Sequence, residues 1–182
     1  MSKTNKYLID VCIVAVLSAL GFVLDRFLSI NTSAVKINLA FIPAAFAAVL
    51  LGPVCAACVW GLTDLIGAIL LPFGPYHPGF TICAALMGAV YGVFLYNKRP
   101  DFKQNKAMYL FNIVVPVLIN CLIIGLFINT FWISMLYSSK TYWGFFASRL
   151  IEYAILVPVQ LAVIPVLINL SARLKKQFRF LG

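Results

Sequence analysis

The sequence predicts an all-α integral membrane protein, a bundle of six transmembrane helices that forms one domain over residues 1–182. Hydrophobic residues make up 63% of the chain and charged residues only 10%, whereas an average globular domain is about a quarter charged. The apolar stretches approach the ~20 residues that a helix needs to cross a bilayer. They do not alternate with a period of two, which argues against an outer-membrane β-barrel.

Polar, proline-rich or glycine-rich segments separate the apolar stretches and define the elements in order. The first span follows a short cationic start, which a signal peptide would also show, but the many later spans favour an uncleaved helix. Asp25 and Arg26 end this span, and Gly52-Pro53 forms the turn between the second and third spans. The fifth span is expected to end near residue 128, with an extension toward Met135 left open. The six spans are predicted over residues 7–24, 37–51, 54–71, 80–96, 107–128 and 143–170.

The distribution of Lys and Arg predicts which side of the membrane each loop faces. The two termini and the loop between the fourth and fifth spans carry ten of these residues, and the other side carries four. Cytoplasmic loops carry an excess of Lys and Arg. We therefore expect a multi-pass protein of the cell membrane with both termini in the cytoplasm, and we explain the net charge of +9 by this orientation rather than by nucleic-acid binding.

Several chemical functions lack the residues that they need. The five cysteines lie in apolar stretches, and Cys55 and Cys58 have no second pair or histidines with which to hold a metal. The sequence has no Walker A motif, zinc-protease motif or nucleophile elbow. We expect neither catalytic residues nor a metal or other cofactor. A binding protein that has no ATP-binding motif of its own would be a subunit that other proteins supply with energy.

The stretch WGLTDLIGAILLPFGPYHPGFT, which begins at Trp60, is the most informative part of the chain. Asp64 is a lone carboxylate in an apolar span, and an ionisable residue in that position is a functional-site hypothesis by default. Trp60 lies one helical turn before it on the same face. The loop that follows holds Tyr76 and His77, and Phe80 opens the fourth span. A single loop histidine is more often structural than a proton relay.

The predicted topology brings other polar residues to the outer side, together with this stretch. We expect a pocket there that opens to the outside and takes an extracellular small molecule. Arg149 and Glu152 are spaced i, i+3 and could instead neutralise each other. Lys36 could be an anchor at the membrane interface rather than a ligand contact. The polar residues concerned are Arg26, Lys36, Asn38, Arg149 and Glu152.

Small residues recur at every fourth position in three spans, and this spacing lets helices approach closely. In the first span the pair is Ala15 and Ala19. For the second and fourth spans we prefer packing within the bundle as the explanation. The residues there are Ala40, Ala44 and Ala48 in the second span, and Ala84, Gly88 and Gly92 in the fourth.

The whole chain resembles the substrate-binding S components of energy-coupling factor (ECF) vitamin transporters. Its size, six spans, cytoplasmic termini and outward pocket fit that family, and Ala15-xxx-Ala19 is similar to the alanine motif by which S components dock on a shared transmembrane subunit. The stretch GLTDLIGAILLPFGPYHPGFT is most similar to the folate-specific members. The resemblance implies a non-enzymatic subunit that captures folate outside and docks on a transmembrane scaffold carrying two ATPase subunits.

The chemistry of folate fits the candidate residues. A pterin ring presents an amine and a ring N–H side by side, and a carboxylate such as Asp64 can accept both. The flat ring favours aromatic partners, and the two carboxylates of the tail favour cations. We expect Trp60, Tyr76 and Phe80 at the ring, Arg26, Lys36 and Arg149 at the tail, and Asn38 and His77 as further hydrogen-bonding groups.

Three other functions stay open at this point. The nearest is an S component for another water-soluble vitamin or precursor, such as pantothenate. A small intramembrane enzyme acting on lipid would need a paired-carboxylate metal site or a nucleophile with its base, and the sequence has neither. A self-contained channel or carrier would transport its substrate without ATPase subunits.

Overall fold

Helices form almost all of the chain that the structure describes. The computed structural model describes residues 3–31, 36–96, 106–136 and 141–177. A short β-hairpin, with two residues in each strand, lies between the first two helices. In chain order the elements are α1 (Lys3–Arg26), β1 (Ile30–Asn31), β2 (Lys36–Ile37), α2 (Phe41–Leu51), α3 (Pro53–Leu70), α4 (Pro78–Leu95), α5 (Lys106–Leu118), a π-helix (Ile119–Ile128), α6 (Asn129–Leu136) and α7 (Tyr142–Gln177).

Five helical segments are long and apolar enough to cross a membrane, within the residues that the structure describes. They correspond to the predicted first, third, fourth, fifth and sixth spans. α5, the π-helix and α6 run on from one another over residues 106–136, so the fifth span includes the extension toward Met135. α7 is longer than predicted and ends at Gln177 rather than near residue 170.

The second predicted span is wrong in its length and in its start. α2 has only 11 residues, which at ~1.5 Å per residue covers about 16 Å of a hydrocarbon core about 30 Å thick. It begins at Phe41 rather than at residue 37, because Ile37 pairs with Ile30 in the unpredicted hairpin. Eight residues of α2 are buried, so its apolar side chains pack inside the bundle.

Small residues hold α2, α3 and α4 close together. Ala44 and Ala48 are fully buried, and a Cβ atom added to Gly88 or Gly92 would overlap the backbone of α3. These two stripes therefore pack the bundle, as expected. Gly52 joins α2 to α3 with φ 99°, a left-handed conformation that favours glycine, and this confirms the predicted turn.

The π-helix is a feature that hydropathy does not predict. Such helices are rare, mostly single-turn, and frequent at functional sites, whereas this one spans ten residues. Pro116 precedes it in α5, where it lacks an N–H and its ring clashes with the carbonyl of residue 112. The normal helical hydrogen-bond pattern is therefore interrupted just before the helix widens.

Candidate functional site

A cavity of about 630 Å³ lies at one end of the bundle, where α1, α3 and α6 end and α2, α4 and α7 begin. We call this the loop end. Seven helical segments and the loop between α3 and α4 contribute to its lining. Ligand pockets usually measure ~300–1,000 Å³ and combine aromatic walls with a few polar groups. The cavity has this size and this mixture.

Seven of the nine predicted binding residues line this cavity, although they come from six parts of the chain. The helices bring their polar ends to the loop end, as the predicted topology required. The seven residues are Arg26, Asn38, Trp60, Asp64, Tyr76, Phe80 and Arg149.

Asp64 is held by a hydrogen-bonded chain that joins three parts of the site. The Thr81 hydroxyl on α4 donates to Asp64 Oδ2 at 2.7 Å, and the Tyr76 hydroxyl lies 3.0 Å from the same Thr81 oxygen. A carboxylate has about four lone-pair sites, and Thr81 takes one of them. One turn deeper, the ring of Trp60 stacks on that of Tyr91 at 5.8 Å and 11°. The carboxylate of Asp64 therefore lies one helical turn from a stacked pair of aromatic rings.

Asp25, Arg26 and Asn38 form a second polar group at the loop end. Arg26 Nε lies 3.3 Å from Asp25 Oδ2, and Asn38 Nδ2 donates to Asp25 Oδ1 at 2.8 Å. The Asn38 side chain also accepts from the Ala40 backbone N–H at 3.2 Å, which anchors the start of α2. The guanidinium of Arg26 lies 4.2 Å from the centre of the Phe73 ring. A buried cation is therefore fixed in position beside the cavity.

Arg149, Glu152 and Tyr153 form a third polar group, on α7. Arg149 Nε lies 3.3 Å from Glu152 Oε2, so the i, i+3 pairing raised as an alternative does occur. Another guanidinium nitrogen donates to the Tyr153 hydroxyl at 2.8 Å. Arg149 Nη1 is buried without a hydrogen-bond partner among the described residues. Pairing and cavity lining are thus compatible for Arg149.

His77 is a predicted binding residue that the described lining of the cavity does not include. His77 Nδ1 accepts from the Gly79 backbone N–H at 3.0 Å, so the histidine caps the start of α4. Its ring stacks on Trp132 at 4.5 Å and 26°. Lys36 lies in β2, and its side chain is outside the described part of the structure.

The sequence analysis missed a polar group at the inner end of the cavity. The Tyr91 hydroxyl and Cys121 Sγ both donate to Gln160 Oε1, at 2.7 and 3.3 Å. Asn120 Nδ2 donates to the Met87 carbonyl at 3.0 Å. Asn120, Cys121 and Gln160 line the cavity.

A signal for this inner group was present in the sequence. Gln160 and Asn120 are amides inside long apolar spans, a situation similar to that of Asp64. An amide carries no charge, so its burial is a weaker indication of a site than the burial of a carboxylate. The contribution of the π-helix was not visible, because its sequence resembles any apolar span.

No group of three or more His, Cys, Asp or Glu residues that could hold a metal occurs within residues 3–31, 36–96, 106–136 and 141–177. The cavity instead combines three carboxylates, two guanidinium groups, several amides and aromatic walls. Such a site suits a polar, partly aromatic small molecule.

Comparison with known proteins identifies similar chains. A family model described as the substrate-specific component of ECF transporters matches residues 10–169. The folate transporter FolT of Clostridium novyi (strain NT) is 35% identical over 150 residues, which cover 82% of each chain. FolT of Leuconostoc mesenteroides is 28% identical over 161 residues, covering 86% of this chain and 83% of the relative. A crystal structure of FolT bound with folic acid matches with TM-score 0.76 and 28% identity, over 87% of this chain and 92% of that one.

Proposed function

This chain belongs to the substrate-specific components of ECF transporters, and we propose that it binds folate in the cavity at the loop end. The family is one of transporter binding subunits rather than enzymes. The FolT relatives and the structure with folic acid support folate as the ligand. The observation that carries the proposal is the cavity itself, which holds Asp64, an aromatic wall and two arginines.

In this proposal the pterin ring lies against Trp60 with its amine and ring N–H at Asp64. The bond from Thr81 orients the carboxylate, and a carboxylate can accept several donors at once. Two parallel charge-assisted hydrogen bonds would fix the ring in its own plane. Phe80 and Tyr76 lie at the cavity wall near the same carboxylate and would close the ring in.

The tail of folate would meet the arginines. Arg26 Nε lies 3.3 Å from Asp25 Oδ2 but makes no hydrogen bond to a described residue, and an arginine has five N–H donors, so donors remain for a carboxylate of the tail. Arg149 has the buried, unpartnered Nη1. Lys36 would add a third cation from the hairpin, and Asn38 a further hydrogen bond. His77 would act indirectly, by capping the helix that carries Phe80 and Thr81.

We further propose that the loop end faces outward and that both termini are cytoplasmic, as the cation distribution predicts. α2 and the strand before it would together make the second of six crossings. Ala15 and Ala19 are exposed on α1, which supports docking of this face on the transmembrane scaffold of the transporter. Two ATPase subunits would then supply the energy that this chain lacks.

Fluorescence of the purified chain in detergent tests the proposal. We expect saturable quenching by folate at one ligand per chain, with no response to pantothenate, riboflavin or biotin. Trp60→Phe should remove most of the quenching, because Trp60 lines the cavity. Trp143→Phe is the matched control, since Trp143 is 67% exposed and does not line it. Binding of another vitamin instead of folate would keep the family and overturn the ligand.

A further inference from the structure

The inner end of the cavity is a buried polar group built by three helical segments. We call it the cavity floor and define it as Tyr91 of α4, Asn120 and Cys121 of the π-helix, and Gln160 of α7. Their exposed fractions are 0%, 2%, 2% and 5%. Polar side chains this deeply buried normally have hydrogen-bond partners, because an unpaired one costs free energy.

The side-chain amide of Gln160 has its oxygen, rather than Nε2, directed toward Tyr91 and Cys121. This oxygen accepts from both the Tyr91 hydroxyl and the Cys121 thiol. The two donors occupy the two lone-pair positions of the oxygen, and Nε2 lies on the other side of the amide. The oxygen is therefore directed into the floor.

The Nε2 donors of Gln160 make no hydrogen bond to the residues that the structure describes. Gln160 lines the cavity, and none of its hydrogen bonds to described residues involves Nε2. Nε2 is also not among the fully enclosed atoms that lack a partner, so it borders the cavity space. An N–H donor that borders the cavity and has no hydrogen-bond partner among the described residues suits an acceptor atom on a ligand.

An aromatic wall connects this donor with Asp64. Trp60 lies one turn below Asp64 on α3 and stacks on Tyr91, whose hydroxyl ends at Gln160. A flat ring lying along Trp60 would therefore have Asp64 near one edge and the cavity floor near the next. The two groups differ in kind, since a carboxylate only accepts hydrogen bonds and Gln160 Nε2 only donates.

We propose that Gln160 Nε2 donates to the ring carbonyl of the bound pterin, and that this bond adds to the selectivity of the site for 4-oxo over 4-amino pterins. The inference rests on the proposed function, because it assumes folate in the cavity. Asp64 would recognise the amine and ring N–H, and Gln160 the neighbouring carbonyl oxygen. A 4-amino group in place of the carbonyl would set donor against donor at Gln160, and it would also remove the ring N–H that Asp64 accepts, so the change in the ratio of affinities on replacing Gln160 isolates the contribution of Gln160.

The test compares folate with its 4-amino analogue, titrated into the purified full-length chain by calorimetry. The wild-type chain should bind folate at least about tenfold more tightly, as expected when a buried hydrogen-bond pair is lost. Equal affinities in the wild-type chain would overturn the inference without any variant. Absence of folate binding in the wild-type chain would overturn the proposed function and this inference together.

Gln160→Met keeps the size of the side chain and removes its donors. We expect this variant to bind folate about tenfold more weakly while its affinity for the 4-amino analogue stays within about twofold. An equal loss for both ligands, or no loss for either, would overturn the inference and leave folate capture intact. A merely structural role of Gln160 would not change the ratio of the two affinities.

Asn112→Leu is the matched control. Asn112 is 3% exposed on α5, and its Nδ2 has no partner among the described residues, but it does not line the cavity. The substitution removes a similarly buried amide donor from a neighbouring helix. The ratio of the two affinities should stay at the wild-type value, and a change as large as that in Gln160→Met would contradict a specific role for Gln160.

Discussion

The cavity and the face of α1 that points away from the bundle differ in chemistry and share no residue. The cavity gathers charged, amide and aromatic side chains from many helices. The outer face of α1 presents small and aliphatic side chains from one helix, among them Ala15, Ala19 and Val11, all exposed. We therefore expect that folate binding and the proposed docking can be disrupted independently.

The small residues of α1 and α2 sharpen the contrast. Both helices have small side chains at every fourth position, but Ala44 and Ala48 are fully buried while Ala15 and Ala19 are exposed. The same spacing therefore packs the bundle in one helix and leaves a surface in the other. Spacing alone does not distinguish the two uses, and burial does.

Asp64→Asn should have the largest effect, because it should abolish binding and therefore uptake as well. Replacing a carboxylate that accepts two N–H donors by an amide should cost about 3 kcal/mol or more, or roughly a hundredfold in affinity. Calorimetry with folate measures the loss. Thr63→Val is a suitable control, since the buried Thr63 faces α1 and donates to the Ser18 carbonyl. Retained tight binding in Asp64→Asn would remove Asp64 from the pterin role.

Ala19→Trp should break only docking. A large side chain on the exposed face of α1 would block close approach of the scaffold, so we expect folate uptake by cells to be lost while the purified variant binds folate within about twofold of wild type. Ala15→Trp should behave in the same way. Val166 lies on α7 and is 62% exposed, so Val166→Trp controls for the added bulk. Weakened binding in Ala19→Trp would show that this face packs the bundle.

Arg26→Ala should distinguish the part of the cavity that binds the folate tail from the part that binds the pterin ring. We expect affinity for folate to fall about tenfold, as when one charge-assisted contact is lost, with affinity for a tail-less pterin nearly unchanged. Competition titration with both ligands measures the two effects. Equal losses for both ligands would argue that Arg26 does not meet the tail and acts through its contacts with Asp25 and Phe73.

His77→Ala should have the smallest effect on binding. The change removes the cap of α4, which should lower the free energy of unfolding by about 0.5–2 kcal/mol. Affinity for folate should stay within about threefold. His77→Asn retains an acceptor and should recover the stability in thermal unfolding. A large loss of affinity for folate at unchanged stability would show that His77 contacts the ligand.

The sequence predicts the long helices and the position of the site because both depend on local patterns. Apolar length predicts a span, and a lone Asp64 in such a span indicates a site. The hairpin and the short α2 were missed because hydropathy does not distinguish a helix buried among helices from one that faces lipid. The pairing of Arg149 with Glu152 was foreseeable from their spacing.

Contacts between distant helices were beyond the sequence. The bonds from Tyr91 and Cys121 to Gln160 join residues 69 and 39 positions apart, and nothing local indicates them. The position of Cys121 also depends on the π-helix, whose wider turn changes which side chains face inward. The cavity floor therefore became visible only in the folded chain.

Transport in liposomes tests most directly whether this chain captures folate but depends on partners for delivery. The purified chain alone is reconstituted, and labelled folate is measured in two fractions, bound to vesicle protein and free in the lumen. We predict about one bound folate per chain and no ATP-dependent or gradient-driven accumulation in the lumen. Accumulation of free folate by the chain alone would contradict the account and identify a self-contained carrier.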